Sequence, residues 1–155
     1  LFEKIKGIEY LNFMADVYEV PEADRAARAE KYLKIFELDK AVGDPINSYS
    51  HGMKQKIALI GALIHDPNLF VLDEPMVGLD PKASFELKKI MREMCDRGKS
   101  VFFSTHVLDV AEKLCDRIAI INKGQIIEIG TMDEIRAKVG SKESLENIFL
   151  ELTEK

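Results

Sequence analysis

Two apolar runs, "LFVLD" at 69–73 and "SVFFS" at 100–104, constrain this chain more than any other feature. Neither alternates polar with apolar residues, so each reads as a strand buried on both faces of a sheet. Between them Leu87, Ile90, Met91, Met94 and Cys95 make one stripe at helical spacing. Strand, helix, strand in this pattern is a parallel crossover unit. The fold class is therefore α/β from Pro67 onward.

Residues 1–66 have a different character. Leu11, Met14, Val17 and Tyr18 recur at helical spacing, and Pro21 closes that segment. Ala26, Ala29, Leu33 and Phe36 share the face of a second helix. "VGDPINSYS" (42–50) reads as loop. Ser50 then caps a third helix through "MKQKIALIGALIH", apolar on most sides beyond Lys56 and so expected to be buried. Its run "IALIGALI" (57–64) is far shorter than the roughly 18 residues of a membrane span. Beyond the second strand, "LDVAEKLC" reads as a short helix and "RIAII" (117–121) as a third strand. "NKGQ" (122–125) turns the chain into "IIEIG", an edge hairpin. Thr131 and Glu134 have capping-box spacing, and Leu145, Ile148, Phe149 and Leu152 mark a last amphipathic helix. The chain divides on this reading into a helical subdomain, 1–66, and an α/β part, 67–155.

Composition adds limits. The 46% hydrophobic and 32% charged residues are an ordinary globular balance. A net charge of −5 weighs against a nucleic-acid surface, where a basic face is expected. Cys95 and Cys115 fall in separate predicted helices without C-x-x-C spacing, and read as reduced thiols. His51, His65 and His106 are scattered and do not form a zinc set.

Ligands in open α/β sheets sit beyond the carboxyl ends of the strands. Asp73 and Glu74 end one such strand; Ser104, Thr105 and His106 end the other. A buried strand ending in Asp73 fits a Mg²⁺ site, because a hard cation takes oxygen ligands. The adjacent Glu74 points elsewhere and can orient or deprotonate a water. The plainer alternative is a carboxylate pair that only solvates a strand end. His106 is in the same way either a phosphate contact or a structural histidine, and "GLDP" (78–81) either a functional segment or a turn before a helix. Ser50-His51-Gly52 offers an anion the N–H groups and positive dipole end of a helix, or serves as a cap alone. "GKS" at 98–100 fails as a phosphate loop of the form G-x-x-x-x-G-K-[ST]. Glu93 stands where the first glycine belongs, and the segment leads into a strand, so it reads as the turn that ends the preceding helix.

In their order and spacing these pieces resemble the nucleotide-binding domain of an ATP-binding cassette (ABC) transporter. "YSHGMKQK" (49–56) resembles the LSGGQ signature stretch, "LFVLDEP" the Walker B motif, "VGLD" (77–80) the D-loop and "STH" (104–106) the switch-histidine loop. The resemblance covers nearly the whole chain, including the final "LENIFLELTEK". It implies part of a P-loop NTPase (RecA-like) core with a mostly parallel sheet, plus an N-terminal α-helical subdomain. The phosphate loop and Q-loop of the family come before the segment that Leu1 matches. The expectation is the C-terminal part of an ATPase domain, inactive by itself.

The resemblance further implies ATP and Mg²⁺ as cofactors, and hydrolysis at an interface with a second nucleotide-binding domain. Transmembrane permease subunits would be the other partners, placing the chain in the cytoplasm on the inner face of the cell membrane. By carry-over, Asp73 holds Mg²⁺ through water, Glu74 is the general base and His106 contacts the γ-phosphate. Asp80 links the two sites across the dimer, and Ser50, His51 and Gly52 clasp ATP held by the opposite subunit. His51 replaces the first glycine of the signature and Met53 its glutamine. This variant is similar to that of export-type ABC ATPases with separate membrane subunits, which implies an exporter. Two other classes share these motifs in part. A soluble ABC ATPase acting on nucleic acid or ribosomes would carry a strongly basic arm, which this sequence lacks. A non-catalytic binding module would lack Glu74 or His106, and both are present.

Overall fold

The computed structural model of the chain describes residues 4–140 and 143–153. It divides into two compact units, Leu1–Phe103 and Ser104–Lys155. In the first unit, α1 (Gly7–Val17), α2 (Glu22–Ile35) and α3 (His51–Leu63) pack on one another around Leu11, Ala15, Leu33, Phe36, Ile57 and Ile60. The buried face of α1 is displaced from the predicted one. Tyr10, Leu11 and Ala15 are buried, whereas Val17 and Tyr18 are about half exposed, at 56% and 51%. The helix ends at Val17 with Tyr18 as its cap, so both residues turn away from the packed face, and Val20 takes the buried place. On α2 Ala26 is likewise exposed, and Tyr32 joins Ala29 and Leu33 in the core.

The predicted crossover follows in the same unit: β1 (Leu69–Leu72), α4 (Pro81–Asp96) and β2 (Ser100–Phe103), with the strands parallel and Leu69 opposite Ser100. Leu87, Ile90, Met91 and Met94 are buried on α4, and Cys95 is half-buried. Gly98, at φ +79, ends α4 as expected. Its N–H donates to the Cys95 carbonyl at 2.9 Å and that of Lys99 to the Met94 carbonyl at 3.0 Å, the paired bonds of a Schellman ending.

One expectation fails: the strands are not buried on both faces. Phe70 is 2% exposed, but Leu69, Val71 and Phe102 are 58%, 62% and 65% exposed. Side chains alternate across a sheet, and α4, which packs against β2, lies on one side. Val71 and Phe102 are cross-strand partners, so the open face presents a contiguous apolar patch. The 155-residue chain is therefore expected to self-associate. Sedimentation velocity should show mass rising with concentration, and Phe102→Lys should reduce it; a monodisperse monomer throughout would refute this.

The second unit holds α5 (Leu108–Leu114), β3 (Ile118–Asn122), β4 (Gln125–Gly130), α6 (Met132–Val139) and α7 (Leu145–Thr153). Its core is Ala111, Ile118, Ile120, Ile135, Leu145 and Ile148, with Phe149 and Leu152 packed beside it. The hairpin is antiparallel, and Lys123 and Gly124 at its tip both have positive φ, 49° and 78°. That is the backbone of a type I′ turn, whose twist matches that of the strands. The capping box at Thr131 is formed in both directions, Glu134 N–H to Thr131 Oγ1 at 3.2 Å and Thr131 N–H to Glu134 Oε2 at 2.8 Å. Glu112 joins three helices: it pairs with Arg136 at 2.6 Å and accepts the Leu145 N–H at 3.0 Å. Among the described residues no helix is long and apolar enough to cross a membrane.

Candidate functional site

The site is built around the start of α3. Ser50 has an extended backbone, and its Oγ accepts the Met53 N–H at 3.2 Å, the predicted N-cap. Gly52 comes next but one, and a Cβ there would lie 2.9 Å from the Gly78 carbonyl oxygen. A Cβ on Gly78 would lie 2.8 Å from His51 Cδ2, and its φ of +80° disfavours any side chain. Both glycines are thus required by the close approach of the 76–79 turn to the first turn of α3.

That turn grows directly out of β1. Asp73, the first residue past the strand, is exposed, and Glu74 is half-buried with φ +44°. A glutamate in the left-handed region is uncommon, and strain of this kind concentrates at functional sites. Pro75 then starts a tight reversal closed by the Val77 N–H on the Glu74 carbonyl at 3.1 Å. A second turn is closed by the Leu79 N–H on the Met76 carbonyl at 3.3 Å, with Gly78 at the position that needs positive φ.

Asp80 ends the segment and does two things. Oδ1 accepts the Ala83 N–H at 2.9 Å and so caps α4; Oδ2 lies 2.6 Å from Lys56 Nζ on α3. The Lys56 ammonium first, and the Ala83 N–H second, hold the Asp80 carboxyl below the usual carboxylate range. Sequence reasoning named Asp80 and missed Lys56. Nothing in "MKQK" distinguishes Lys56 from Lys54 except its place one and a half turns into the helix.

The first unit thus brings Ser50, His51, Gly52 and Asp80 together, with Asp73 and Glu74 on the same continuous segment. His106 belongs to the second unit, where it is exposed in the bend before α5. The Val107 N–H on Thr105 Oγ1, at 3.0 Å, shapes that bend. For Mg²⁺ the donors fit in kind: the ion takes one or two carboxylates and completes its shell with water and substrate phosphates. Among the described residues no group of three or more His, Cys, Asp or Glu could hold a metal ion.

The lysine of "GKS" has another use. Lys99 is 12% exposed, lies 2.6 Å from Asp66 Oδ1 and donates to the Asp66 carbonyl at 2.8 Å. Its hydrogen bond, against some desolvation, holds the Asp66 carboxyl below its usual range. A carboxyl depressed in the folded state adds stability above its unfolded value, about 3.9, and loses it as pH falls through the lower folded value. Because Asp66 is 38% exposed, solvent screening limits the pair to about 1 kcal/mol or less. Asp66→Asn should lower the urea midpoint at pH 7, and the deficit should shrink as pH falls below about 3.9; a deficit that does not change with pH would contradict the pairing.

Known proteins share this arrangement. The family model "AAA domain", whose description also names an AbiEii toxin and a type IV TA system, matches residues 5–108. An uncharacterized ABC transporter ATP-binding protein of Nostoc sp. is 37% identical over 137 residues, 87% of this chain and 41% of that protein. The linearmycin resistance ATP-binding protein LnrL of Bacillus subtilis is 32% identical over 140 residues, 90% of this chain and 45% of that protein. A solved structure titled as the ATP-binding subunit of an ABC transporter matches with a TM-score of 0.95 at 35% identity, over 98% of this chain and 64% of that one. The chain therefore spans less than half the length of these two curated relatives. It belongs to the AAA-domain family, and its homologues are ATP-binding proteins of ABC transporters.

Proposed function

We propose that this chain works within the ATP-binding subunit of an ABC exporter, where MgATP is held and hydrolysed between two such domains. The observation that carries the reading is the seating of the 76–80 turn on the first turn of α3. It sets an anion-binding helix start beside the segment that begins at Glu74. Ser50, His51 and Gly52 clasp the phosphates of ATP bound by the opposite subunit, and Asp80 belongs to the segment that links the two sites. Glu74 takes the proton of the attacking water, and His106 steadies the terminal phosphate. Asp73 would hold Mg²⁺, which when bound would offset phosphate charge. Phosphoryl transfer rests mainly on such positioning and charge stabilisation.

The sequence holds no phosphate loop of the form G-x-x-x-x-G-K-[ST], and by itself the chain is expected not to turn over ATP. Its partners are a second copy of the domain and membrane permease subunits, on the cytoplasmic face. The resistance function in the name of LnrL supports export as the direction. In the full-length protein, His106→Ala should cut turnover about 100-fold, the scale of losing one preorganised donor, with an unchanged melting temperature. Near-normal ATPase activity would return His106 to a structural role.

A further inference from the structure

Lys56 lies outside the roles assigned so far. Its side chain is 12% exposed, and its ammonium is 2.6 Å from one oxygen of Asp80, whose other oxygen caps α4. Both oxygens of that carboxylate therefore have partners inside the same chain. Two close approaches seat the same segment on the same helix: a Cβ at Gly78 would meet the His51 ring, and one at Gly52 the Gly78 carbonyl. Of the three, only the ion pair is charged and only it reaches the end of the turn.

From this geometry we infer that Lys56 is a positioning residue for hydrolysis: by pinning Asp80 to α3 it sets the 74–80 segment, and with it Glu74. The Asp80 side chain is an internal strut, and what the segment offers to a second subunit is its backbone. The inference rests on the proposed role of Glu74. Misplacing a reacting group by about 1 Å costs on the order of 100-fold in rate, so a slackened pin acts on the chemical step. It leaves nucleotide binding alone, because Lys56 points at Asp80.

The test uses the full-length protein that contains this chain. Lys56→Met should lower kcat at least about tenfold, with KM for MgATP and the melting temperature nearly unchanged. Lys56→Arg should recover most of that loss. Asp80→Asn keeps a good N-cap but loses the charge, so it should match Lys56→Met, and the double variant should be no worse than either single one. Without nucleotide, hydrogen exchange at the Val77 and Leu79 amides, which close the two turns, should quicken in Lys56→Met. A wild-type kcat in Lys56→Met overturns the inference, as do losses that add in the double variant or a fall in kcat matched by a fall in stability. Glu74→Gln in the same assay separates the two failures. If it is slow while Lys56→Met is normal, only the positioning role falls; if it is also normal, the reading of the site falls first.

Discussion

In the full-length protein, Glu74→Gln should leave MgATP binding intact and slow hydrolysis at least ~100-fold, the scale of losing a general base. The substitution keeps the shape of the side chain and removes its negative charge and its capacity to take a proton. It is also neutral toward the backbone. At φ +44° glutamine is no more strained than glutamate, and the Val77 N–H still finds the carbonyl of residue 74. A stable protein that binds nucleotide and does not hydrolyse it is therefore the expected outcome, accompanied by an ATP-bound dimer that no longer comes apart. Single-turnover kinetics with equilibrium nucleotide binding measures both halves. Turnover near that of the parent would remove Glu74 from the chemistry.

Ser50→Arg should abolish ATP-driven dimerisation and cooperative hydrolysis while leaving nucleotide affinity of the monomer nearly unchanged. The Ser50 hydroxyl caps α3 by accepting the Met53 N–H, and on the proposed reading this small side chain leaves the helix start open to a phosphate. An arginine blocks that approach. It also removes the cap, at a cost of about 1 kcal/mol, so Ser50→Ala serves as the control that loses the cap without the bulk. Mixed with a variant lacking the phosphate-loop lysine of the full-length protein, Ser50→Arg should rebuild one working site per heterodimer from the intact half of each. Dimer fraction by size exclusion in a Glu74→Gln background, together with fluorescence affinity, reads the result. If Ser50→Arg weakened monomer binding as strongly as loss of the phosphate loop, the clasp would not act on a partner's nucleotide.

Local chemistry was legible in the sequence. The caps at Ser50 and Thr131, the helix end at Gly98 and the "NKGQ" turn all depend on neighbours a few residues apart, and all are present, as is the β1–α4–β2 crossover, whose elements each carry their own pattern. What escaped the sequence depends on long separations or on backbone strain. The pairs Lys56–Asp80 and Lys99–Asp66 join residues 24 and 33 positions apart, and a lysine carries no sign of which carboxylate it will meet. A left-handed glutamate at 74 has no sequence mark at all, since glycine is the residue that announces positive φ. The exposure of Leu69 and Val71 escaped for a related reason: an unbroken apolar run says that both faces of a strand favour cover, not that both receive it.

The Lys99–Asp66 bridge has a mechanical consequence. Asp66 precedes β1 and Lys99 precedes β2, and the Ser100 N–H on the Asn68 carbonyl, at 2.9 Å, ties the same two places again. Both strands are clamped where they begin. Each is four residues long, about 13 Å, so the clamp and the Asp73–Glu74 pair sit at opposite tips of a short beam. The far end has an anchor of its own, since the segment that leaves β1 is tied to α3 by the Lys56–Asp80 pair, so the beam is held at both ends.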